Sequence, residues 1–273
     1  MKVFGLIGDH RVQNSLSPMM FEAVFSALRY DARYVAFNLD QKDLQRALNA
    51  AKSAGMVGLN VTVPYKESVI PYIDSLSPKA AQVGAVNTIA FRQDHALGFN
   101  TDIGGFIDML EHCGISANVS DVCVVGAGGA AKAVIYSFIT SGCRSVNVIN
   151  RTYSKSCEVA SRVGGIAIRL EDAIKVLETC SLLVNTTSIS ETGQAPEFTS
   201  LFFGNIRFKK LHTIIDINYG RQENLWHLLA QRIGARFVDG LFMLAAQARR
   251  SFFLWTGETV RIEEFLKPLG SER

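Results

Sequence analysis

The sequence predicts an α/β protein of two domains, and three observations carry that reading. Short apolar runs alternate along the chain with longer segments whose apolar residues recur at helical spacing. A glycine-rich turn, Gly126 to Ala131, stands between a buried-strand run and a helical stretch. The chain has 273 residues, and at roughly 150 residues per domain that length suits about two domains.

Hydrophobic residues make up 48% of the chain and charged residues 19%, the composition of a globular protein with a full core. A collagenous, mucin-like or tail-type protein is excluded. The formal charge of +3 is spread along the chain. Its densest basic pairs, Lys209-Lys210 and Arg249-Arg250, form no stripe interleaved with aromatics, so no nucleic-acid partner is expected. With no run of about 18 uncharged apolar residues, no membrane partner is expected either. Met1 to Ile7 reads as a strand rather than a signal peptide, so a cytoplasmic location is expected. The five cysteines, Cys113, Cys123, Cys143, Cys157 and Cys180, include no C-x-x-C pair. Neither a disulfide framework nor a metal site is indicated, and each cysteine is expected as a small buried hydrophobe.

Lys2 to Ile7 is a short apolar strand. A polar loop follows to Ser17-Pro18, where Ser17 suits an N-cap and Pro18 the first helical position. Phe21, Val24, Phe25 and Leu28 then fall at i, i+3, i+4 and i+7, one face of a helix that must pack on a sheet. Tyr34 to Leu39 reads as a second strand. Asp40 can cap a helix carrying Leu44, Ala47, Leu48 and Ala51 on one face, with Gly55 stopping it. A third strand, Val57 to Val63, ends at Pro64, which has no N–H for a sheet ladder, so Tyr65 and Lys66 project beyond its carboxyl end. Open α/β sheets bind ligands at that end of their strands. After a strand over Ala85 to Phe91, Gln93-Asp94-His95 reads as a hairpin turn leading to Leu97 through Asp102. Thr101 or Asp102 can cap the next helix, which ends near Gly114 and has the length and position of a connector between domains. Phe252-Phe253-Leu254-Trp255 reads as helix core.

Asp121 to Val125 is a buried-strand run, followed at once by Gly126-Ala127-Gly128-Gly129-Ala130-Ala131 and a helical stretch to Ser141-Gly142. Gly126 permits a tight turn, Gly128 lets the backbone approach a pyrophosphate, and small Ala131 allows close helix-on-strand packing. The helix N-terminus then faces the phosphates. Taken alone, such a turn is equally a glycine loop without ligand; the next strand, Ser145 to Ile149, supplies βαβ context. At its tip, where an NAD-preferring site offers a carboxylate to the ribose, the chain has Asn150-Arg151-Thr152. The Arg151 guanidinium can pair with a 2′-phosphate, Asn150 and Thr152 can add hydrogen bonds, and Lys155 supplies another cation about one turn further on. NADP is therefore the expected cofactor.

The remaining polar residues at predicted strand ends are Ser15, Ser17, Asn60, Thr62, Lys66, Asn87, Asp102 and Gln247. They lie in Ser15-Leu16-Ser17-Pro18, Asn60-Val61-Thr62-Val63-Pro64-Tyr65-Lys66, Gly84-Ala85-Val86-Asn87-Thr88, Gly98-Phe99-Asn100-Thr101-Asp102 and the stretch from Asp239-Gly240-Leu241 through Gln247 to Gly257. Together with Gly126 to Ala131 and Asn150-Arg151-Thr152, these motifs make the chain resemble the shikimate dehydrogenase family over nearly its whole length. The resemblance implies reversible, NADP-linked reduction of 3-dehydroshikimate to shikimate in aromatic amino acid biosynthesis. It implies that Ser15 and Ser17 hold the substrate carboxylate, that Asn60, Thr62, Asn87 and Gln247 bind ring hydroxyls, and that Lys66 and Asp102 form the catalytic pair. Cofactor contacts are implied along Gly126, Ala127, Gly128, Gly129 and Ala130 and at Thr187, Gly240 and Met243, with core packing the alternative for Met243.

The residue types suit such a substrate, since one carboxylate, several hydroxyls and a ketone need short hydroxyl and amide side chains. Hydride addition to a carbonyl carbon makes an alkoxide, which needs a proton donor, and the reverse reaction needs a base. Lys66 can serve both if burial or neighbouring charge tunes it, with Asp102 orienting it. The competing reading makes Asp102 the proton carrier or gives Lys66 a binding role; Asp102 can also be a helix cap.

Several positions depart from the family pattern. Asn14 stands where histidine is common, and the loop Asp9 to Gln13 lacks the usual Pro-Ile. Asn185-Thr186-Thr187-Ser188 keeps the polar turn after a strand but continues Ile189-Ser190, where glycine normally follows. Asp216-Ile217-Asn218-Tyr219 matches the next motif, with Tyr219 a substrate contact, but Arg221, Asn224 and Leu225 stand where Pro, Thr and Pro are usual. A solvated side chain is the expectation for Arg221, with contact to a substrate carboxylate or the cofactor as the alternative. That cation keeps open a related substrate such as quinate or an aminoshikimate.

The expected architecture is thus an N-terminal α/β substrate domain over 1–102, completed by C-terminal helices within 239–273, and a Rossmann-like NADP-binding domain over 103–238. The site is expected in the cleft, with closure excluding water. The alternatives are a quinate/shikimate dehydrogenase of the same family and a dinucleotide-binding sensor without turnover, against which Lys66 and Asp102 both speak. A monomer or homodimer is expected.

Overall fold

The first strand, β1 (Lys2–Gly8), is an interior strand of one sheet, next to its edge, and the order of elements around it explains why distant motifs share one sheet end. The computed structural model describes residues 1–270 apart from 192, 205, 221 and 222. These divide into two compact units, one formed by 1–108 with the chain from 242 onward, the other by 109–241. In the first, β1 is followed by α1 (Ser17–Ala27), β2 (Ala32–Asn38), α2 (Leu44–Ser53), β3 (Gly58–Val61), β4 (Ser75–Leu76), α3 (Pro78–Val83), β5 (Thr88–Arg92), β6 (His95–Phe99) and α4 (Asp102–His112).

The sheet order is β2-β1-β3-β5-β6-β4. β1 pairs in parallel with β2 and β3, while β5 runs antiparallel to both β3 and β6. The β5–β6 hairpin closes with Arg92 opposite His95, and Gln93 and Asp94 take φ of +43° and +65°. Positive φ at both central residues gives a two-residue turn the twist its flanking strands require.

The second unit holds β7 (Asp121–Val125), α5 (Gly129–Thr140), β8 (Ser145–Ile149), α6 (Tyr153–Val163), β9 (Ile166–Ile168), α7 (Ala173–Leu177), β10 (Leu182–Asn185), α8 (Pro196–Phe203), β11 (Thr213–Asp216), α9 (Leu225–Ile233) and β12 (Arg236–Val238). All its strand pairs are parallel, in the order β12-β11-β10-β7-β8-β9. Counted from β7 this is the doubly wound 3-2-1-4-5-6 order, in which the direction of winding reverses between β7 and β10. Val122 to Val125 and Leu182 to Val184 are all buried, as strands covered by helices on both faces must be.

The chain then returns to the first unit as α10 (Leu241–Thr256) and α11 (Ile262–Leu266). Phe252, Trp255 and Phe265 from these helices join Phe4, Phe21, Phe25 and Tyr34 in one aromatic core. Phe21 and Tyr34 stack at 4.3 Å, and Trp255 Nε1 donates to the Ile89 carbonyl at 2.9 Å. Glycine is required at 58 because a Cβ there would collide with the Trp255 indole. Each well-placed aromatic pair adds ~0.5–1.5 kcal/mol beyond its area burial, so the C-terminal helices are integral to this core.

Several local expectations shift. α1 begins at Ser17 itself, with Leu16 as N-cap, and the Ser17 N–H donates to Ser15 Oγ at 3.2 Å instead of Ser17 capping the helix. Leu28 follows the last helical residue, next to Arg29 with φ of +51°, and is 38% exposed rather than on the buried face. Asp40 makes no side-chain cap bond, because a 3₁₀ turn at Gln41–Asp43 intervenes before α2. β5 starts only at Thr88, and the Val86 N–H before it donates to the Lys66 carbonyl instead of a sheet neighbour. Phe253, one step round α10 from buried Phe252, is 52% exposed and not core. Cys123, Cys143 and Cys180 are buried, but Cys113 is half-buried and Cys157 on α6 is exposed, against the expectation for every cysteine. Among the described residues no helix is long and apolar enough to cross a membrane.

Candidate active site

The antiparallel entry of β5 builds a polar cluster in the first unit. Because β5 runs against β3 and β6, its first residue, Thr88, lies opposite both Asn60 of β3 and Phe99 of β6. Residues 60, 87–88 and 99–102 therefore meet at one sheet end, and α10 lays Gln247 and Ser251 against them.

Lys66 Nζ donates to Asp102 Oδ2 at 2.7 Å, with the two side chains 15% and 7% exposed. An ion pair this enclosed loses hydration on both members and is sustained only if the remaining valences are also used. For the carboxylate they are: Asn87 Nδ2 donates to Asp102 Oδ1 at 2.8 Å and to Thr101 Oγ1 at 2.9 Å, and reaches Gln247 Oε1 at 3.4 Å. Asn87 Oδ1 accepts the Thr101 N–H at 2.7 Å. A backbone N–H can only donate, which turns the Asn87 amide nitrogen towards the carboxylate. The Val86 N–H donates to the Lys66 carbonyl at 2.7 Å, fixing the backbone from which the lysine projects.

Asn60 sits behind this group, buried. Its Oδ1 accepts from the Tyr34 hydroxyl at 2.8 Å, and its Nδ2 reaches the Asn87 carbonyl, Thr88 Oγ1 and Ser251 Oγ at 3.0–3.1 Å. Ser251 Oγ in turn donates to the Gln247 carbonyl at 3.0 Å. Tyr34, Thr88 and Ser251 are members of the network that sequence reasoning did not single out, because they meet partners remote in the chain, and Thr101, read only as a candidate helix cap, is another. Half-buried Ser15 and buried Ser17 follow β1, and half-buried Thr62 follows β3. Gly8 permits this neighbourhood, since a Cβ there would meet both Val12 and the Thr62 methyl. In the altered loop, Asp9 accepts from the Arg11 N–H at 3.1 Å and pairs with its guanidinium at 2.6 Å. The Arg11 hydrogen bond holds the Asp9 carboxyl below its usual range.

The second unit carries its own group of candidate residues, in the parallel sheet. Gly126 takes φ of +117° at the end of β7, and a Cβ there would strike the side chains of Thr186 and Thr187 beyond β10. The glycine turn and half-buried Thr187 thus share the point where the winding reverses, the position at which doubly wound sheets take ligands. Gly128 is the N-cap of α5 and carries no side chain to cap it; a Cβ there would meet nothing within 4 Å. Ala127, Gly129 and Ala130 line the start of the helix. An open glycine before a twelve-residue helix with no side-chain cap is a seat that suits a pyrophosphate. At the tip of β8, Asn150 Nδ2 donates to the Thr152 carbonyl at 2.9 Å, while Arg151, Thr152 and Lys155 are exposed.

The ends of β10 and β11 are tied by a buried carboxylate. Asp216 accepts from Asn185 Nδ2 and Asn218 Nδ2 at 2.8 Å each and from Asn224 Nδ2 at 2.7 Å. Asn218 also donates to the Thr187 carbonyl at 2.7 Å and Ser190 Oγ at 2.9 Å. Asn224 Oδ1 caps α9 through the N–H groups of Trp226 and His227. Two residues noted as departures, Ser190 and Asn224, are therefore parts of one knot; their polarity was the signal that could have found it. Half-buried Tyr219 follows the knot, and Gly240 packs so closely on Ile217 that a Cβ would collide with its backbone. Buried Met243 belongs to α10 in the first unit. Arg221 lies outside the described residues.

A 3-2-1-4-5-6 parallel sheet with a glycine turn at its switch point, in one chain with a buried lysine–aspartate pair, defines a Rossmann-type two-domain dehydrogenase. Residues 6–89 match the family model for the shikimate dehydrogenase substrate binding domain, and residues 110–221 match that for shikimate / quinate 5-dehydrogenase. The chain is 38% identical over 262 residues to the shikimate dehydrogenase (NADP(+)) of Moorella thermoacetica, covering 91% of this chain and 86% of that protein. The corresponding enzyme of Caldanaerobacter subterraneus is 36% identical, with 94% and 92% covered. The crystal structure of shikimate dehydrogenase from Aquifex aeolicus superposes with a TM-score of 0.87 at 31% identity over 98% of this chain and 97% of that one. The Thermus thermophilus enzyme, solved with NADP(H) and shikimate, gives a TM-score of 0.84 at 30% identity, with 98% of each chain covered. The chain belongs to the shikimate dehydrogenase family.

Proposed function

We propose that the chain is a shikimate dehydrogenase that reversibly reduces 3-dehydroshikimate to shikimate with NADPH. The observation that carries this reading is the enclosed Lys66–Asp102 pair at 2.7 Å, set among amide and hydroxyl side chains rather than apolar ones. The relatives named above carry that activity in their names, and the Thermus thermophilus structure holds both ligands. The substrate domain is 1–102 with 239–273, and the NADP domain is 103–238. A cytoplasmic location and a monomeric or homodimeric state belong to the same reading.

Ser15 and Ser17 bind the substrate carboxylate, and Thr62, Asn87, Gln247 and Tyr219 bind its hydroxyl groups. Asn60, whose amide is occupied by its neighbours, supports Asn87 and Thr88 from behind. Bound NADPH supplies the hydride. Gly126 to Ala130 seat its pyrophosphate, Asn150, Arg151, Thr152 and Lys155 its 2′-phosphate, and Thr187, Gly240 and Met243 its nicotinamide side. As the carbonyl oxygen gains charge, the Lys66 ammonium donates a proton to it; in the reverse direction neutral Lys66 takes the hydroxyl proton. Asp102 holds the ammonium in place, and Asn87 holds Asp102.

Following NADPH absorbance with shikimate or quinate, each paired with NADP or NAD, tests the reading. Fastest turnover is expected for shikimate with NADP. The second family model covers quinate as well, so faster turnover of quinate would move the assignment to a quinate/shikimate dehydrogenase. Tight NADPH binding without turnover of either substrate would overturn the enzyme reading in favour of a sensor.

A further inference from the structure

We infer that Arg169 is a further determinant of cofactor choice, a second guanidinium for the 2′-phosphate of NADP. The inference rests on the NADP reading of Arg151. β8 and β9 are parallel neighbours with Ile149 opposite Ile168. The next residue of each strand, Asn150 and Arg169, therefore leaves the sheet side by side at its carboxyl end, the end at which such sheets meet the adenosine ribose. Arg169 Cζ lies 4.2 Å from the centroid of the Tyr153 ring. Tyr153 opens α6 directly after Asn150-Arg151-Thr152. The stacking anchors an otherwise long, exposed side chain at the tip of β8, and it leaves the N–H edge of the guanidinium available for phosphate oxygens.

Arg151 and Arg169 thus share one corner, each following one of the neighbouring strand ends of β8 and β9. Two carboxylates are close by in the chain, Glu171 and Asp172, and Asp172 is paired with Lys175 at 2.8 Å. A doubly charged phosphate gains from every cation in this corner, whereas bare ribose hydroxyls gain little. Arg169 accordingly acts on the preference for NADP over NAD and leaves the chemical step alone.

The test is calorimetric titration of the full chain with 2′,5′-ADP and with 5′-AMP, for the wild type, Arg169→Ala and Arg169→Lys. Arg169→Ala is expected to weaken 2′,5′-ADP about tenfold, the size of one charge-assisted phosphate contact, with 5′-AMP binding and the melting temperature unchanged. Arg169→Lys keeps the charge but loses the planar stack and falls between. Undiminished preference for 2′,5′-ADP in Arg169→Ala, or equal weakening of both ligands, overturns the inference while the NADP reading stands. A wild type that binds 2′,5′-ADP no more tightly than 5′-AMP overturns both.

Discussion

Asn87 Nδ2 donates to Asp102 Oδ1 at 2.8 Å, on the carboxylate oxygen opposite the one that takes Lys66 Nζ at 2.7 Å. Both oxygens of one buried carboxylate are thereby directed, and the lysine is aimed by a group that is itself aimed. Replacing Lys66 by Ala is expected to lower kcat about 10²–10⁴-fold, the range of general acid–base catalysis. Steady-state kinetics decide: near-normal kcat with only KM raised means uniform binding instead. Asn87→Ala should lower kcat by up to ~10²-fold with Lys66 intact, as expected when a reacting group loses its alignment.

Replacing Arg151 by Ala should raise the KM for NADPH far more than that for NADH. The exposed guanidinium is expected to meet a 2′-phosphate that NADH lacks. Equal changes for the two cofactors would sink the assignment.

Tyr34→Phe removes the donor to Asn60 Oδ1 without changing the ring that stacks on Phe21. An acceptor deprived of its donor in this interior loses ~1–3 kcal/mol of stability, measurable by urea denaturation. A value near zero would mean that Asn60 Oδ1 finds another donor.

Asn224→Ala strips α9 of its cap and Asp216 Oδ2 of a donor at 2.7 Å. The cap is worth ~1 kcal/mol and the stranded carboxylate oxygen ~1–3 kcal/mol, so a loss of about 2–4 kcal/mol is expected in chemical denaturation. A loss below about 0.5 kcal/mol would place it with ordinary surface substitutions and show that the knot does not depend on Asn224.

Burial, with some repulsion from Asp216, raises the Asp239 carboxyl above its ordinary range, against the pull of the Leu241 N–H that it accepts. A raised carboxyl binds its proton more tightly folded than unfolded, so stability falls as pH rises from the ordinary value of 3.8 to the raised one. Asp239→Asn keeps an acceptor for Leu241 and removes the charge. It should be more stable than wild type above that window and lose the advantage below it, seen in melting temperatures across pH. An advantage that does not change with pH would rule out the charge as its cause.

What could be read from residues alone was whatever depends on near neighbours. Asp121 to Val125 and Ser145 to Ile149 are strands at those bounds because Val122 to Val125 is an apolar run and Val146, Val148 and Ile149 are β-branched, and Gly126 is needed where φ is +117°. The gathering of polar groups at Lys66 was legible only through the family's motifs. Leu28, Phe253 and Cys157 were misjudged because spacing tells which residues share a face, and only the neighbouring element tells whether that face is covered.

By itself the sequence determined the alternation of strands and helices, the glycine turn and the polar strand ends, all of which follow from local backbone preference and period. Tertiary structure alone decided that β5 enters antiparallel, that Ser251 meets Asn60 across 191 positions, and that Ser190, Asn218 and Asn224 converge with Asp216. Contacts such as Ser251 with Asn60 and Ser190 with Asn218 form only after long loops have closed, and a side chain that bonds so far away leaves no periodic trace in its own segment.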